Sequence, residues 1–211
     1  MPARGDAWGV PPARIGFARR SESMRVLTIV VLGVLACACR HGGLHHKGER
    51  MASVQMQGTA WPFKGHALAW LGEEAHSYLG GGFFNHWFTS DRIALGAGLM
   101  YNNYQFDGNN NADAEIQANY RHYLFEHDRK YSYFLEAFCG AQWGETEIPR
   151  GATRYEYIFG FGPGMEVKIN EKYRVLAGAQ FHHQSNALGR TSPRNPSQND
   201  LRLWVAFGWM W

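Results

Sequence analysis

The sequence predicts an all-β chain that closes into an eight-stranded antiparallel transmembrane β-barrel. Apolar and polar residues alternate along eight segments, and the connections between these segments are alternately long and short. The segments are about a dozen residues long, whereas strands of globular proteins average about half that length and a strand that crosses a membrane needs about ten residues. Length and alternation together therefore favour membrane-crossing strands over a soluble sheet.

The predicted strands cover 52–62, 75–87, 92–104, 113–125, 131–144, 153–168, 173–185 and 200–211. In the sixth, Tyr155, Tyr157, Phe159 and Phe161 alternate with polar residues and glycine. Because successive side chains of a strand point to opposite faces, each strand has one apolar and one polar face. Aromatic residues at the ends of the apolar face are typical of a surface that meets lipid. The polar face then lines the lumen, where its charged side chains have to pair with one another.

The connections alternate as expected for an outer-membrane barrel, which has short periplasmic turns and longer external loops. The predicted short connections are 88–91, 126–130 and 169–172, and the long ones are 63–74, 105–112, 145–152 and 186–199. This order places both termini in the periplasm. The chain ends on Trp211 in an amphipathic segment, and this resembles the C-terminal assembly signal of bacterial outer-membrane barrels.

Residues 1–39 are predicted to be an export signal, since an apolar run from Val26 to Ala38 follows several arginines and is too short for a membrane helix. Translation starting at Met24 would give a signal of ordinary length. The end of the run resembles a bacterial lipobox with Cys37 as the lipidated residue. Unmodified cleavage near Ala38 is the alternative. Residues 40–51 are predicted to be a flexible leader with solvated histidines, and the barrel is assigned to 52–211.

Charge and cysteine content exclude several function classes. The excess of arginine in residues 1–39 accounts for the whole formal charge of +3, so the rest of the chain is neutral and nothing favours nucleic-acid binding. Cys139 is the only cysteine after Cys39, so no internal disulfide is expected. No zinc spacing and no glycine-rich phosphate loop is present, and we expect neither a metal nor a cofactor.

Candidate chemistry lies at the end of the seventh strand. His183 and Ser185 are two residues apart and therefore share a face, which is the apolar, lipid-facing one. A nucleophile beside a base on one face is the minimum for acyl transfer, and polar groups that face lipid are typical of functional sites. A substrate would lie in the outer leaflet. His182 points inward, where a hydrogen bond within the lumen is expected.

These residues carry a resemblance to a known family. The run from His183 to Ala187, followed by Asn195-Pro196 and a terminal amphipathic strand, resembles the signature of the lipid A 3-O-deacylases, and the similarity covers roughly residues 181–211. The resemblance implies an eight-stranded outer-membrane barrel, often a homodimer, that hydrolyses the ester-linked acyl chain at the 3 position of lipid A. It implies lipopolysaccharide and membrane lipid as partners and no cofactor.

Carried over to this sequence, the family pattern makes Ser185 the nucleophile and His183 the general base. Asn195 would donate to the oxyanion, and Asn186 would position substrate or fix the loop. At the third triad position the family has Glu, whereas this chain has Asn199. An Asn can still orient a His by accepting its N–H.

Other features of the site leave alternatives open. Asp200 is a rival partner for His183 but falls on the opposite face. Gly189 is displaced by one position, which leaves the second oxyanion donor unassigned. Arg190 and Arg194 would either contact lipid A phosphates or be solvated.

Two other functions also remain open. One is a structural or adhesive barrel with a decayed site. The other is an esterase that acts on another lipid. A calcium-dependent phospholipase would need acidic ligands near the serine, and the loop before Asp200 has none.

Overall fold

Eight strands form where the sequence alternates. The computed structural model describes residues 45–62, 77–106, 109–127, 130–147, 153–187 and 197–211. The strands are β1 (Arg50–Pro62), β2 (Ser77–Ser90), β3 (Ile93–Phe106), β4 (Asn109–His127), β5 (Tyr131–Gly144), β6 (Tyr155–Lys168), β7 (Tyr173–Ser185) and β8 (Gln198–Met210).

The strands close into a barrel in chain order. Each strand pairs antiparallel with the next, and β1 pairs antiparallel with β8, so no strand edge is left unpaired. Closure matters because lipid offers no partner for a backbone N–H or C=O group. The predicted eight-stranded antiparallel barrel is confirmed. Within the described residues, no helix has the length and hydropathy needed to cross a membrane.

The two faces of the strands separate as the alternation predicts. On β6, Phe159 and Phe161 are 44% and 60% exposed on the outer surface, while Glu156 and Glu166 are buried in the lumen. On β8, Leu203 and Val205 face outward and Arg202 and Trp204 are buried. A surface with this many exposed apolar side chains is stable only against lipid.

The lumen is filled by paired polar groups and rings. Arg121 forms an ion pair with Glu136, which also accepts a hydrogen bond from Gln180 Nε2. Arg202 donates to Gln180 Oε1 at 2.8 Å and lies 3.9 Å from Glu115. The pairing of charged lumen side chains that the sequence predicts is thus found for Arg121 with Glu136 and for Arg202 with Glu115. Glu166 pairs with Arg174, and Lys168 pairs with Glu171 in the β6–β7 turn.

The connections agree with the predicted order at all but one place. Strands β3 and β4 extend toward each other until only two residues separate Phe106 from Asn109. The predicted long external connection at 105–112 is therefore wrong. The register continues through Tyr104↔Asn111 to Phe106↔Asn109, because a hairpin that projects beyond the lipid can pair its backbone without any apolar alternation.

The structure also differs from the predicted flexible leader at 40–51. Residues 45–49 are folded against the barrel, and β1 begins at Arg50, two residues before the predicted start. His45 is fully buried instead of solvated, because its ring packs on Phe88 and lies close to the carboxylates of Glu49 and Glu166.

Candidate active site on the lipid face of the barrel

The β7–β8 pair brings His183 and Asn199 together. The two residues are direct partners in the antiparallel ladder, and His183 Nδ1 lies 2.8 Å from Asn199 Oδ1. Because an amide oxygen can only accept, Nδ1 carries the proton in this contact and donates it. The other ring nitrogen, Nε2, is then the unprotonated one. A general base needs this tautomer to take a proton from a hydroxyl group.

Neighbouring side chains fix the His183 ring. Its exposed fraction is 9%, that of Asn199 is 2%, and the ring of Phe159 on β6 lies 4.6 Å from the imidazole between ring centroids. Phe159 is the ladder partner of His183 on the other side of β7. The imidazole therefore lies between one neighbour that orients it by a hydrogen bond and one that packs against it.

Ser185 is the last residue of β7 and shares the outward face with His183. It is partly exposed and pairs with Tyr157 of β6. Two residues of a strand span about 6.6 Å, which a histidine side chain can bridge. In the structure, no hydrogen bond joins the Ser185 hydroxyl to the His183 ring. The two side chains therefore lie on the same face without a hydrogen bond between them.

The lumen side of the same two strands holds a second pair. His182 Nδ1 lies 2.9 Å from Asp200 Oδ2, and both side chains are completely buried. Gln198 Nε2 donates to the same carboxylate oxygen at 3.3 Å. The expected inward direction of His182 is confirmed. Asp200 is also confirmed on the face opposite His183, so it cannot orient that ring.

The remaining predicted site residues are less defined. Asn186 follows β7 in an irregular segment, and Ala187 has a φ of 59°, so the chain turns sharply there. Asn195, with Arg190 and Arg194, lies outside the described residues. Among the residues that are described, no three His, Cys, Asp or Glu side chains are grouped so that they could hold a metal ion.

Asn199 carries a feature that sequence reasoning missed. Its Nδ2 atom is buried and has no hydrogen-bond acceptor among the described residues. A carboxylate at this position would have no such donor to leave unpaired. The signal for it was the substitution of Asn for Glu, but only the structure shows which amide atom contacts the histidine.

The site and the barrel were compared with known proteins. No protein-family model matches the sequence, and no curated protein matches it. Among solved structures, the chain is similar to outer membrane protein H (OprH) from P. aeruginosa, with a TM-score of 0.54 and 13% identity over 77% of this chain and 99% of that one. It is also similar to Neisserial surface protein A (NspA), with a TM-score of 0.51 and 9% identity over 78% of this chain and 96% of that one.

The structural comparison and the apolar outer surface indicate the same class of protein. At these identities the likeness to OprH and NspA shows the fold alone. The fold is that of the small β-barrels of the Gram-negative outer membrane, and the exposed apolar belt and buried polar lumen fit that location. The chain is therefore a small outer-membrane β-barrel with a candidate Ser–His–Asn site on its lipid face.

Proposed function

We propose that this protein is an esterase that removes the ester-linked 3-O acyl chain of lipid A in the outer leaflet. The observation that carries the proposal is the 2.8 Å contact between His183 Nδ1 and Asn199 Oδ1, on the outer face at the external end of β7. This contact leaves Nε2 unprotonated and Ser185 lies on the same face. The substrate itself is supplied by the resemblance of residues 181–211 to the lipid A 3-O-deacylases.

The chemistry follows from these three side chains. Ser185 Oγ attacks the ester carbonyl, and its proton passes to His183 Nε2 while Asn199 Oδ1 accepts the Nδ1–H. The tetrahedral oxyanion then collapses, the bond between the acyl carbon and the sugar oxygen breaks, and the leaving sugar oxygen takes the proton from Nε2. In the second half, water gives a proton to Nε2 and attacks the acyl carbon. The bond from the acyl carbon to Ser185 Oγ then breaks, Oγ takes the proton back from Nε2, and the fatty acid is released.

Two groups would complete the site. Asn195 would donate its side-chain N–H to the oxyanion, a contribution that is typically worth two to three decades in rate in other hydrolases. Tyr157, Phe159 and Phe161 of β6 form an exposed aromatic surface beside His183. This surface is suited to a substrate whose acyl chains lie in the same leaflet.

A second candidate function is a non-enzymatic outer-membrane barrel that retains a decayed site. Two observations bear on it. The residue that orients His183 is an amide, which stabilises an imidazolium less well than a carboxylate. In addition, the Ser185 hydroxyl makes no hydrogen bond to the ring in the structure. Catalytic hydrogen bonds often tighten only when substrate binds, so the second observation is compatible with both candidates.

Mass spectrometry of lipid A separates the two candidates. The wild type, Ser185→Ala and a matched Ser77→Ala variant are expressed in a Gram-negative host that lacks its own deacylase. Ser77 is also an exposed serine at the external end of a strand, but it belongs to β2 and has no histidine two residues before it.

We expect wild type and Ser77→Ala to release one hydroxyacyl group from lipid A, and Ser185→Ala to release none. Folding of each variant in the outer membrane is checked by its heat-dependent mobility in electrophoresis. If lipid A stays intact with folded wild type, the proposal of a lipid A deacylase fails.

A further inference from the structure

The segment of residues 45–49 is folded into the end of the barrel where β1 begins and β8 ends, and we call it the latch. Its turn is closed by backbone hydrogen bonds from Gly48 N to Phe88 O at 2.8 Å and from Phe88 N to Glu49 O at 3.0 Å. Lys47 N donates to Asp91 Oδ1 at 3.1 Å. Because short turns of outer-membrane barrels face the periplasm, the latch lies at the periplasmic mouth.

His45 is the only latch side chain that is fully buried. Its ring stacks on Phe88 of β2, with 3.9 Å between ring centroids and an angle of 19° between the planes. Its Nε2 atom lies 2.9 Å from Glu166 Oε1, and its Nδ1 atom lies 3.6 Å from Glu49 Oε2. A carboxylate therefore faces each ring nitrogen. A charged ring is attracted to both carboxylates, whereas a neutral ring is not, so this arrangement favours the protonated imidazole.

The surroundings of His45 are charged on several sides. Each element packed against the ring contributes a titratable or charged group: Glu49 of the latch itself, His86 of β2, Tyr123 of β4, Glu166 of β6 and Arg174 of β7. Arg174 Nε lies 3.1 Å from Glu166 Oε1, the same oxygen that His45 approaches, and Tyr123 donates to Glu166 Oε2 at 2.8 Å. Two carboxylates thus oppose two cations, and the set is neutral only while His45 is charged.

We infer that the latch closes the periplasmic mouth of the barrel while His45 carries a proton, and that loss of this proton releases it. In the closed state the imidazolium lies between the carboxylates of Glu49 and Glu166. Without it, Arg174 is the one cation of this set that faces the two carboxylates. Release would expose Phe88 and Glu166 to the periplasm, since both contact His45 in the closed state. This device is independent of the esterase proposal, since it lies at the other end of the barrel from Ser185.

The direction of the pH dependence follows from the contacts. Burial lowers the pKa of His45, but the Glu166 carboxylate and the contacts with Glu166 and Glu49 outweigh burial, and the pKa is raised above its ordinary value. The contact with His45 likewise lowers the pKa of Glu49. A group whose pKa is raised in the closed state stabilises that state fully below its ordinary pKa of about 6.5, and the stabilisation is lost as the pH rises through the raised value.

Limited trypsin digestion tests the latch on the folded protein in detergent micelles. The measured quantity is the cleavage rate after Lys47 divided by that after Lys172, which lies in the exposed β6–β7 turn, so that the pH dependence of trypsin cancels. For wild type we expect this ratio to rise about ten-fold between about pH 7 and about pH 9.5. His45→Gln should show the high ratio already at the lower pH.

Two further variants make the result specific. His46→Gln changes the neighbouring, exposed histidine and should behave as wild type. Gly48→Val should open the latch at every pH, because Gly48 has a φ of +95°, which a β-branched residue does not tolerate. Electrophoretic mobility without heating confirms that each barrel is folded. Equal protection of Lys47 in wild type and His45→Gln, or a wild-type ratio that does not change with pH, would overturn the inference.

Discussion

The two polar atoms of the Asn199 amide differ in what they contribute beside His183. The amide oxygen of Asn199 holds the Nδ1–H of the ring, so the tautomer is fixed as a carboxylate would fix it. The amide nitrogen is buried without an acceptor among the described residues, so it does not orient the ring. An amide also carries no charge to stabilise the imidazolium that would form in the proposed reaction when Ser185 gives up its proton. Orientation is therefore present, and electrostatic stabilisation is missing.

Asn199→Asp should raise the rate of lipid A deacylation. Asp has nearly the same shape, its carboxylate oxygen can take the position of Oδ1 at His183 Nδ1, and the unpaired buried N–H disappears. We expect a gain of at least about ten-fold, because a carboxylate in this role is worth several decades over an amide in other triads. The measurement is the initial rate on purified lipid A in mixed micelles.

The matched control for this prediction is Asn103→Asp. Asn103 is partly exposed on the outer side of β3, near the external end and away from the site. It introduces the same charge on the same surface and should leave the rate unchanged. An Asn199→Asp rate equal to that of wild type would mean that Asn199 does not orient the base.

The two-residue alternation of a strand was enough to predict which face of the barrel each of these residues lies on, but it could not predict the latch. His182 and His183 are adjacent, so they have to face opposite sides, and the same holds for Asn199 and Asp200. The register that pairs His182 with Asp200 and His183 with Asn199 then follows from the structure alone. His45 lies in a segment without alternation and meets Glu166 across the barrel, and a contact of that kind has no local signal in the sequence.

At the scale of the strands, the sequence predicted the parts of the strands that face lipid and missed the extension of a strand beyond the membrane. The bounds of β5 and β7 agree with the predicted segments 131–144 and 173–185, because both strands begin and end with the apolar alternation. β4 starts four residues earlier than predicted, at Asn109. The residues 109–111 are all Asn, so hydropathy gave no reason to extend the strand.

The seam between β6 and β7 holds Phe159 and Tyr157 opposite His183 and Ser185, and it depends on a close approach at Gly162. A Cβ atom there would collide with the Ala179 carbonyl oxygen and would lie 2.7 Å from Gln180 Cα. Both are backbone atoms of β7 and cannot move without breaking the ladder. Gly162→Ala should therefore destabilise the barrel by about 1–3 kcal/mol.

Gly81→Ala is the matched control on β2. A Cβ atom at Gly81 would meet only the Gln55 carbonyl oxygen at 3.5 Å, which is ordinary contact. This variant should be neutral or slightly stabilising, since alanine loses less backbone entropy than glycine on folding. Urea unfolding in micelles measures the unfolding midpoints of Gly162→Ala and Gly81→Ala. Equal midpoints for the two variants would contradict the close approach at the β6–β7 seam.

The barrel as a whole depends on a lumen whose charges are compensated. Arg121 and Arg202 are among the largest fully buried side chains, and their guanidinium groups lie 5.0 Å and 4.2 Å from the rings of Phe134 and Phe138. Composition and parity predicted that lumen acids and bases would pair. They could not predict the partners, because the stagger of the strands decides which inward positions meet. Arg174 and His45 therefore reach Glu166, while Lys168 turns out to Glu171.

A double-mutant cycle tests this compensation on Arg121 and Glu136. Arg121→Met leaves the Glu136 carboxylate buried with only the Gln180 amide as a partner, and we expect it to cost about 3–5 kcal/mol of unfolding free energy. Adding Glu136→Gln removes the uncompensated charge, so the double variant should be more stable than Arg121→Met alone. The coupling should be about 1–3 kcal/mol, since the two side chains are in contact.

The same change in a pair that reaches solvent provides the contrast for that cycle. Lys168 at the end of β6 lies 2.7 Å from Glu171 in the β6–β7 turn, whose side chain is 91% exposed, so water screens the pair. Lys168→Met should therefore leave the urea midpoint nearly unchanged. If Arg121→Met were as mild as Lys168→Met, water would have to reach Glu136 inside the barrel. The lumen would then be hydrated instead of closed by its own side chains, and the latch at its periplasmic mouth would not seal a dry interior.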